Sequence, residues 1–344
     1  MSLPNPEPVF FLIEAFRRSQ ALFTAVDLKI FDALEDGAQG VGQLADRIEA
    51  NPDALERLLS TCVHLGLLDK EGELYRNPPL ASVYLCRRSP QALVGYIEYS
   101  QRALWALWAK LPDAVREGTN RWEQVFGGQG ELFSHYYTTE EDKRRFVMGM
   151  HAFGLISSPR VVRAFDLSGF HRLVDLGGAT GHLPIAACEV YPRLAGCVFD
   201  LPKVLNVTEE IVAGAGLSGR ITTAGGDFFT DPLPEADLYS LGRILHDWGE
   251  EKCRLLLSRV HEALPAGGGL LIAEKVLDES GVRPLWALLQ SLNMLVVTEG
   301  KERKLSEYER LLRAAGFSSV EAVVLEDSPL DAILARKNSG QAGG

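Results

Sequence analysis

The segment that most constrains the fold is a glycine-rich turn between an apolar run and a helical pattern, in HRLVDLGGATGHLPIAACEVYP. Gly177, Gly178 and Gly181 carry no Cβ, so the backbone there can approach a ligand closely. Asp200 ends the next apolar run, 19 residues after Gly181, and an acid at this place suits the two hydroxyls of a ribose. The pattern predicts a site for a nucleoside-containing cofactor. A tight strand-to-helix turn without a ligand is the structural alternative.

The turn matches neither of two common nucleotide-binding motifs, which limits the kinds of cofactor that it could bind. The dinucleotide fingerprint Gly-x-Gly-x-x-Gly fails, because Ala179 and His182 stand at its second and third glycine positions. The chain also lacks the Gly-Lys-Ser/Thr of a phosphate-binding P-loop. Asp175, two residues before the first glycine, would suit a cationic sulfonium next to an amino-acid head group.

From residue 171 onward, short apolar runs alternate with helical segments. The runs are 173–176, 197–200, 221–224, 238–242 and 270–275. This alternation predicts an α/β fold with a mostly parallel sheet and helices on both faces. Two further runs, 320–324 and 331–335, are only about six residues apart. A parallel crossover needs about a dozen residues or more, so we expect the last strand to be antiparallel.

The N-terminal part has the pattern of helices followed by a hairpin. Apolar residues recur at helical spacing over 9–35 and 41–50, and again after Asn51, a plausible N-cap that precedes Pro52. Leu67 to Tyr75, with a turn at Gly72, predicts a small hairpin. This order is that of a winged helix-turn-helix, which in many proteins binds DNA.

Charge argues against nucleic acid as a partner. The chain has 35 basic and 46 acidic residues, a net charge of −11, whereas a groove reader needs Arg and Lys against phosphate. The second helix and the hairpin add acids to the face that would read DNA, namely Asp53, Glu56, Asp69, Glu71 and Glu73. We therefore expect a structural or dimerisation role for this part, and a metabolite-sensing winged-helix regulator is the disfavoured alternative.

Several further patterns bear on location and on metals. No run of about 18 apolar residues exists that could span a membrane, and the first residues lack the basic-then-apolar order of a signal peptide. The five cysteines are odd in number and form no Cys-x-x-Cys pair, which favours a reducing, cytoplasmic location. The histidines outside the LHDW string have no metal-type spacing, so we expect no metal site.

Six strings carry a likeness to a known family. They are VDLGGATG (174–181), VFDLPKV (198–204), GDFFTDPLPEADLYSLGRILHDW (226–248), IAEKVLDE (272–279), SLNMLVVTEGKER (291–303) and LDAILARK (330–337). Together they resemble the S-adenosylmethionine-dependent O-methyltransferases of the plant caffeic-acid and animal hydroxyindole (acetylserotonin O-methyltransferase-like) family. The likeness runs from the N-terminal helices to residue 337, and the GDFF, LPEADLY and LHDW strings in that order are highly specific.

The resemblance implies a fold and a division of the chain. Residues 1–90 would form a winged-helix-like domain that joins two subunits as a homodimer, and residues 91–165 a helical connection that contributes to the substrate pocket. Residues 166–344 would form a Rossmann-like domain that binds S-adenosyl-L-methionine and releases S-adenosyl-L-homocysteine. The DLSG segment at 166–169 is the predicted boundary between these parts.

The resemblance also implies which residues meet the cofactor. Gly177 and Gly181 would flank its methionine part, Asp200 its ribose, and Asp227 and Phe228 its adenine. The full predicted cofactor-binding set is Asp175, Gly177, Gly178, Gly181, Asp200, Leu201, Gly226, Asp227, Phe228, Arg243 and Tyr137.

The chemistry of methyl transfer to a hydroxyl explains why a histidine is wanted. A phenol has a pKa near 10, so a neutral imidazole can take its proton as the new bond forms. By resemblance His246 is this general base, and Glu274 and Glu302 are the acids that orient it. Strand-end salt bridges are the structural alternative for both glutamates. Asp247 is either an orienting acid or the N-cap of the next helix.

The acceptor is the least specified part of the prediction. Candidate pocket residues are Trp105, Phe153, Asn293, Met294 and Val297. Asn293 matches a polar pocket residue of melatonin-forming enzymes, whereas Val297 replaces their glutamine and Gly154 replaces their tryptophan. We therefore expect a small aromatic molecule with a hydroxyl group, and N-acetylserotonin itself stays open. The alternatives are a catalytically inactive cofactor-binding relative and an N-methyltransferase.

Overall fold

The computed structural model describes residues 3–127 and 139–339. The chain divides into two compact units, Met1–Trp105 and Ala106–Gly344. Within the described residues no helix combines the length and the apolar character that crossing a membrane requires.

The first unit is mainly helical, with one small sheet. Its elements are α1 (Glu7–Asp27), α2 (Ile30–Ala33), β1 (Gln39–Gly40), α3 (Val41–Ile48), α4 (Pro52–His64), β2 (Asp69–Glu71), β3 (Leu74–Arg76), α5 (Pro79–Tyr84), α6 (Val94–Tyr99) and a π-helical stretch (Ser100–Leu104). Helix α7 (Trp105–Trp108) spans the boundary between the units.

Local chemistry sets the elements of this unit as the sequence predicts. The Asn51 side chain accepts a hydrogen bond of 3.0 Å from the Ala54 N–H, and Pro52 occupies the first turn of α4, which is a favourable N-terminus. Strands β2 and β3 pair antiparallel around Gly72, and β1 joins β3 to give the order β1-β3-β2. The hairpin and the helices predicted over 41–50 and after Asn51 are confirmed, whereas the helix predicted over 9–35 is interrupted at Lys29, whose φ is +57°.

The second unit contains the larger sheet and its helices. Its elements are α8 (Leu111–Glu117), α9 (Trp122–Phe126), α10 (Glu140–Val161), β4 (Arg172–Leu176), α11 (His182–Val190), β5 (Ala195–Asp200), α12 (Leu205–Gly214), β6 (Ile221–Gly225), β7 (Leu238–Gly242), a 3-10 turn (Leu245–Asp247), α13 (Glu250–Ala263), β8 (Gly269–Glu274), α14 (Leu285–Val297), α15 (Leu305–Ala314), β9 (Ser319–Val323) and β10 (Asp331–Arg336).

The seven strands lie in the order β6-β5-β4-β7-β8-β10-β9. Neighbours from β6 to β8 pair parallel, and β10 pairs antiparallel with both β8 and β9. The predicted α/β class, with a mostly parallel sheet and an antiparallel last strand, is confirmed. Strand order reverses at β4, and ligands of such sheets bind outside the carboxyl ends of the strands at this place.

Both faces of the sheet are covered, which explains the continuous apolar runs of its central strands. One face packs with α13 and α15 around residues such as Tyr239 and Leu270, and the other packs with α11 around Leu173 and Leu271. All five cysteines are buried free thiols, as expected for small apolar core residues.

Candidate active site

The glycine-rich turn between β4 and α11 leaves little room for any other residue type. Gly177 and Gly181 have φ of +70° and +76°, a backbone conformation that glycine adopts without steric penalty. A Cβ on Gly178 would lie 2.5 Å from Asp175 Oδ2, well inside van der Waals contact. The turn therefore presents bare backbone at the carboxyl end of β4.

Asp200, at the end of β5, is tied to this turn by hydrogen bonds. Its Oδ2 accepts the Ala179 N–H at 2.8 Å and its Oδ1 accepts the Leu201 N–H at 2.7 Å. Burial raises the pKa of Asp200 to about 6, and the two backbone N–H groups oppose that rise. Each oxygen keeps a second lone pair, so the carboxylate can still accept from two hydroxyls.

Asp175 lies beneath the turn and not on its open side. It is buried, and its Oδ1 accepts a hydrogen bond of 2.6 Å from the Ser240 hydroxyl of β7. Burial raises the pKa of Asp175 to about 7. This hydrogen bond joins β4 to β7, and direct contact of Asp175 with a cofactor stays a prediction.

The remaining predicted cofactor residues gather around the same edge. Gly226 lies against the Phe199 ring, because a Cβ there would lie 2.5 Å from Cζ of that ring. The Asp227 side chain accepts the N–H of Phe229 at 2.8 Å. The Phe228 ring lies 3.4 Å from where a Cβ on Gly177 would be. Tyr137 falls outside the described residues.

Arg243 follows β7 in a left-handed conformation, with φ of +57°. Its N–H donates to the Ala273 carbonyl at 3.0 Å, and its guanidinium lies 5.2 Å from the centroid of the Phe153 ring. Its Nε is buried without a hydrogen-bond partner among the described residues. The arrangement leaves a cation at this edge with donor capacity to spare.

His246 lies on the 3-10 turn after β7 and is only 3% exposed. Its Nδ1 forms a 2.7 Å hydrogen bond with Glu302 Oε1 and lies 3.4 Å from Glu274 Oε2. A carboxylate on Nδ1 fixes that nitrogen as the N–H, which leaves the Nε2 lone pair free to accept a proton.

Glu274, at the end of β8, holds the backbone of the histidine turn. Its Oε1 accepts the N–H groups of Ile244, Leu245 and His246 at 3.0, 2.8 and 3.3 Å. This one carboxylate oxygen therefore fixes the path of the chain from β7 into the turn. Glu274 and Glu302 both contact His246, as the resemblance implies, but they do so in different ways.

Asp247 does not cap helix α13, so that alternative is wrong. Gly249 is the N-cap, and no side chain caps the helix. Instead the Asp247 carboxylate lies 3.7 Å from His246 Nε2, on the nitrogen that Glu302 leaves free. Burial raises the pKa of Asp247 to about 7 and that of Glu302 to about 8, and it raises the pKa of Glu274 as well.

His246, Glu274 and Glu302 each offer one metal-ligating atom, and these atoms lie within 4.8 Å of one another. The 2.7 Å contact between His246 and Glu302 has the length of a charge-assisted hydrogen bond. Glu274 already accepts three backbone N–H groups through its second oxygen. The donor set therefore fits a hydrogen-bonded network around the imidazole better than a metal centre.

Gly300 is a site residue that the sequence analysis did not single out. A Cβ at this position would lie 2.6 Å from the Trp248 N and 2.7 Å from the Asp247 carbonyl carbon, and nearer still to the His246 carbonyl oxygen. The loop that carries Glu302 thus packs directly on the backbone of the histidine turn. The TEGKER string contained the residue, but nothing local in the sequence marks the contact.

Two histidines that the sequence analysis left structural, the buried His151 and the half-buried His182, lie beside the glycine-rich turn. His151 Nδ1 lies 2.7 Å from the Thr180 hydroxyl, and His182 Nδ1 lies 2.8 Å from the Ser158 hydroxyl. Burial lowers the pKa of His151 to about 4 and that of His182 to about 3. The His182 ring fills the space that a side chain on Gly154 would need, so the two positions depend on each other.

The predicted pocket residues of the second unit lie on α10 and α14. Asn293, Met294 and Val297 are buried on α14, and Asn293 Oδ1 accepts the Trp108 indole N–H at 2.8 Å. The Phe153 ring lies 6.0 Å from that of Trp286. Trp105 belongs to the first unit, where it packs edge-on against Phe23. The roles of these residues toward an acceptor stay predictions.

A Rossmann-like sheet that brings Gly177, Asp200 and His246 to the carboxyl ends of its strands is the arrangement expected of an S-adenosylmethionine-dependent methyltransferase. Comparison with known proteins supports this class. The family model described as an O-methyltransferase domain matches residues 108–318, and the O-methyltransferase dimerisation domain matches residues 10–87. The chain belongs to the O-methyltransferase family. The predicted S-adenosylmethionine-dependent O-methyltransferase is confirmed at that level.

Similar individual proteins include a human probable bifunctional dTTP/UTP pyrophosphatase/methyltransferase protein, 43% identical over 337 residues. The aligned residues make up 97% of this chain but 54% of the human protein, so the chain spans about half the length of that relative. Acetylserotonin O-methyltransferase of Gallus gallus is 40% identical and covers 97% of this chain and 98% of its own. The crystal structure of human N-acetylserotonin methyltransferase with its cofactor matches with a TM-score of 0.92 at 38% identity, covering 98% and 99% of the two chains.

Proposed function

We propose that this chain transfers the methyl group of S-adenosylmethionine to a hydroxyl of a small aromatic molecule, with His246 as the general base. The observation that carries the proposal is the 2.7 Å hydrogen bond between His246 Nδ1 and Glu302. It leaves Nε2 as the basic nitrogen of a buried imidazole at the carboxyl edge of the sheet.

The residues at this edge fit the cofactor. The turn at Gly177 offers backbone with no Cβ in the way, Asp200 has lone pairs left for two ribose hydroxyls, and Arg243 has an unpartnered buried Nε that suits a carboxylate. Phe228 lies near Gly177 and would cover the adenine. When bound, the cofactor supplies an activated methyl group on a sulfonium.

The protein's own task is to make the hydroxyl nucleophilic and to align it. Nε2 of His246 would take the proton of the hydroxyl as the oxygen forms its new bond to carbon, which contributes a rate factor of about 10²–10⁴. The imidazolium that results is stabilised by Glu302 at 2.7 Å and Glu274 at 3.4 Å. Glu274 also holds the turn in place through three backbone N–H groups.

The first unit supports a homodimer as part of the same proposal. Helix α1 exposes a run of large apolar side chains, namely Val9, Phe10, Phe11, Leu12, Ile13 and Phe16. Such an apolar patch is typical of a protein interface, and it lies within or next to the matched dimerisation domain of residues 10–87. We infer that residues 1–90 dimerise, residues 91–165 contribute to the acceptor pocket, and residues 166–344 bind the cofactor.

The acceptor class follows from the relatives and from the pocket. Two of the similar proteins act on acetylserotonin by name, and an aromatic hydroxyl fits a base with one free imidazole nitrogen. The candidate pocket wall combines Phe153, Met294 and Val297 with the amide of Asn293. We propose a small, mostly apolar aromatic hydroxyl compound.

The test combines titration of the two cofactor forms with transfer of labelled methyl to a panel of aromatic hydroxyl acceptors. His246→Ala should lower transfer about 10²-fold or more while S-adenosylhomocysteine still binds. His64→Ala, which changes an exposed histidine of the first unit, is the matched control and should leave both unchanged.

Three outcomes would contradict the proposal. If the wild type binds neither S-adenosylmethionine nor S-adenosylhomocysteine, the proposed function is wrong. Cofactor binding without any transfer indicates an inactive relative. Transfer to amines that survives His246→Ala indicates N-methylation, for which a general base is less necessary.

A further inference from the structure

We propose that Gln290 is a specificity-determining residue, whose side-chain amide donates a hydrogen bond to a carbonyl oxygen of the methyl acceptor. This inference rests on the proposed function and names the chemical group that the acceptor carries besides its hydroxyl. Gln290 is buried, and it belongs neither to the sequence motifs nor to the cluster of His246, Glu274 and Glu302.

Helix geometry places Gln290 with the candidate pocket residues. Gln290, Asn293, Met294 and Val297 follow one another at i, i+3, i+4 and i+7 on α14, a spacing that puts them on one face. All four are buried, with exposures between 3% and 8%. Helix α14 also contacts the 3-10 turn that carries His246. We call these four residues the α14 stripe.

Gln290 is the one polar member of the α14 stripe whose amide lacks a protein partner within the described part of the chain. The side chain is 7% exposed, and its Nε2 is buried with no hydrogen-bond partner among the described residues. A buried amide donor left in this state is unfavourable, because it has given up its water without a replacement. Such groups are few in native proteins and call for an explanation, and a ligand that completes the hydrogen bond supplies one.

Asn293, on the same face of α14, carries a side-chain amide that does have a hydrogen-bond partner. The Trp108 indole can only donate, so its 2.8 Å hydrogen bond fixes Oδ1 of Asn293 toward the tryptophan. The Asn293 NH₂ then points away from Trp108. The α14 stripe thus carries two amides one turn apart, and the buried donor without a partner among the described residues is Gln290 Nε2.

A buried N–H donor recognises an acceptor oxygen, and a neutral oxygen that accepts without itself donating is that of a carbonyl group. A site built to hydrogen-bond such a group discriminates against the analogue that lacks it, since the donor is then left unpaired. The expected acceptor is thus an aromatic ring that bears the reacting hydroxyl and, away from it, a carbonyl.

The probes are 6-hydroxy-1-tetralone and 5,6,7,8-tetrahydro-2-naphthol, two bicyclic phenols that differ only in the ketone. The variant is Gln290→Leu, which removes the amide and keeps most of the volume. Ser291→Ala, on the same helix but outside the α14 stripe, is the matched control. Each protein is measured for kcat/KM with both phenols, for binding of both phenols in the presence of S-adenosylhomocysteine, and for its urea midpoint.

We expect the wild type to prefer the ketone. Gln290→Leu should lower kcat/KM and affinity for the ketone about tenfold, the worth of one hydrogen bond. It should leave the ketone-free phenol and S-adenosylhomocysteine affinity unchanged. Because an unpaired buried amide is removed, the urea midpoint should stay the same or rise. Ser291→Ala should match the wild type throughout.

The inference is overturned if Gln290→Leu lowers the urea midpoint and weakens both phenols together, since Gln290 would then be a structural residue. It is also overturned if the wild type binds both phenols equally, or binds neither. Failure of the proposed function looks different. In that case no methyl is transferred to either phenol, and the binding ratio of ketone to phenol still decides the role of Gln290.

Discussion

Gly300 lies against the backbone of the turn that carries His246, and Gly300→Ala tests how strictly the position of that turn limits catalysis. The added Cβ would lie 2.6 Å from the Trp248 N, which is about 0.8 Å short of the 3.4 Å at which ordinary contact begins. The clashing atoms are backbone on both sides, so no side chain can rotate to relieve them. Either the turn or the loop must move by more than that distance, because the Cβ would lie nearer still to the His246 carbonyl oxygen.

The displacement acts on groups that are already fixed by short contacts. Glu274 holds the turn through N–H groups at 3.0, 2.8 and 3.3 Å, and Glu302 holds the imidazole at 2.7 Å. A misplacement of about 1 Å at a reacting group lowers a rate by about 10²-fold. The overpacking should also destabilise the fold by about 1–3 kcal/mol.

The measurements are kcat for methyl transfer, affinity for S-adenosylhomocysteine, and the urea midpoint. We expect kcat to fall about 10²-fold with cofactor affinity unchanged, because the atoms that clash belong to residues 246–248, whereas Gly177 follows β4 and Asp200 ends β5. Gly249→Ala is the control, since a Cβ there meets only Glu299 Oε1, at 3.8 Å. If the kcat of Gly300→Ala stays within about threefold of that of the control, a difference well under tenfold, the reasoning is refuted.

Three further changes have expected outcomes. Glu302→Gln keeps an acceptor for His246 Nδ1 but removes its charge, so kcat should fall about 10²–10⁴-fold with unchanged S-adenosylhomocysteine affinity; a full-rate variant contradicts this. Burial lowers the pKa of His151 to about 4. The unfolded chain therefore binds the extra proton below about pH 6.5, and stability falls from there toward pH 4 by up to about 3 kcal/mol. His151→Leu should make that slope shallower in urea unfolding at both pH values, with the lowered pKa of His182 still contributing, and an unchanged slope would contradict it. Asp331→Asn keeps an acceptor oxygen for Lys275 but removes the negative charge that lies 2.9 Å from this buried cation, so it should destabilise the fold by about 3–5 kcal/mol in urea unfolding; a loss below about 1 kcal/mol, the worth of an exposed ion pair, would contradict this.

The sheet was predictable because its central strands are buried on both faces. The run Leu238 to Gly242 matches β7 residue for residue, and the others differ by one or two residues at their ends. The antiparallel last strand followed from chain length alone, since too few residues separate β9 from β10 for a parallel crossover. Asn51 was recognisable as a cap because its partner is only three residues away.

Local sequence patterns could not predict the contacts between distant segments of the chain. The Asp247 carboxyl stands where a helix N-cap would be expected, yet Gly249 takes that place. Glu274 and the N–H groups that it accepts are separated by 28 to 30 residues. The space at Gly154 is filled by a ring 28 positions later. In each case a tertiary neighbour decided the outcome, and no spacing rule connects the partners.

In the mechanism that we propose, the charges around His246 favour transfer of the acceptor's proton to the imidazole. Burial raises the pKa of Asp247, Glu274 and Glu302 together, and neighbouring carboxylates resist being ionised at the same time. An imidazolium formed at His246 offsets that repulsion, so the carboxyl groups stabilise the protonated histidine more strongly than the neutral one. The stabilisation therefore grows as the hydroxyl gives up its proton. An interaction that is stronger in the transition state than in the ground state is the kind that raises kcat.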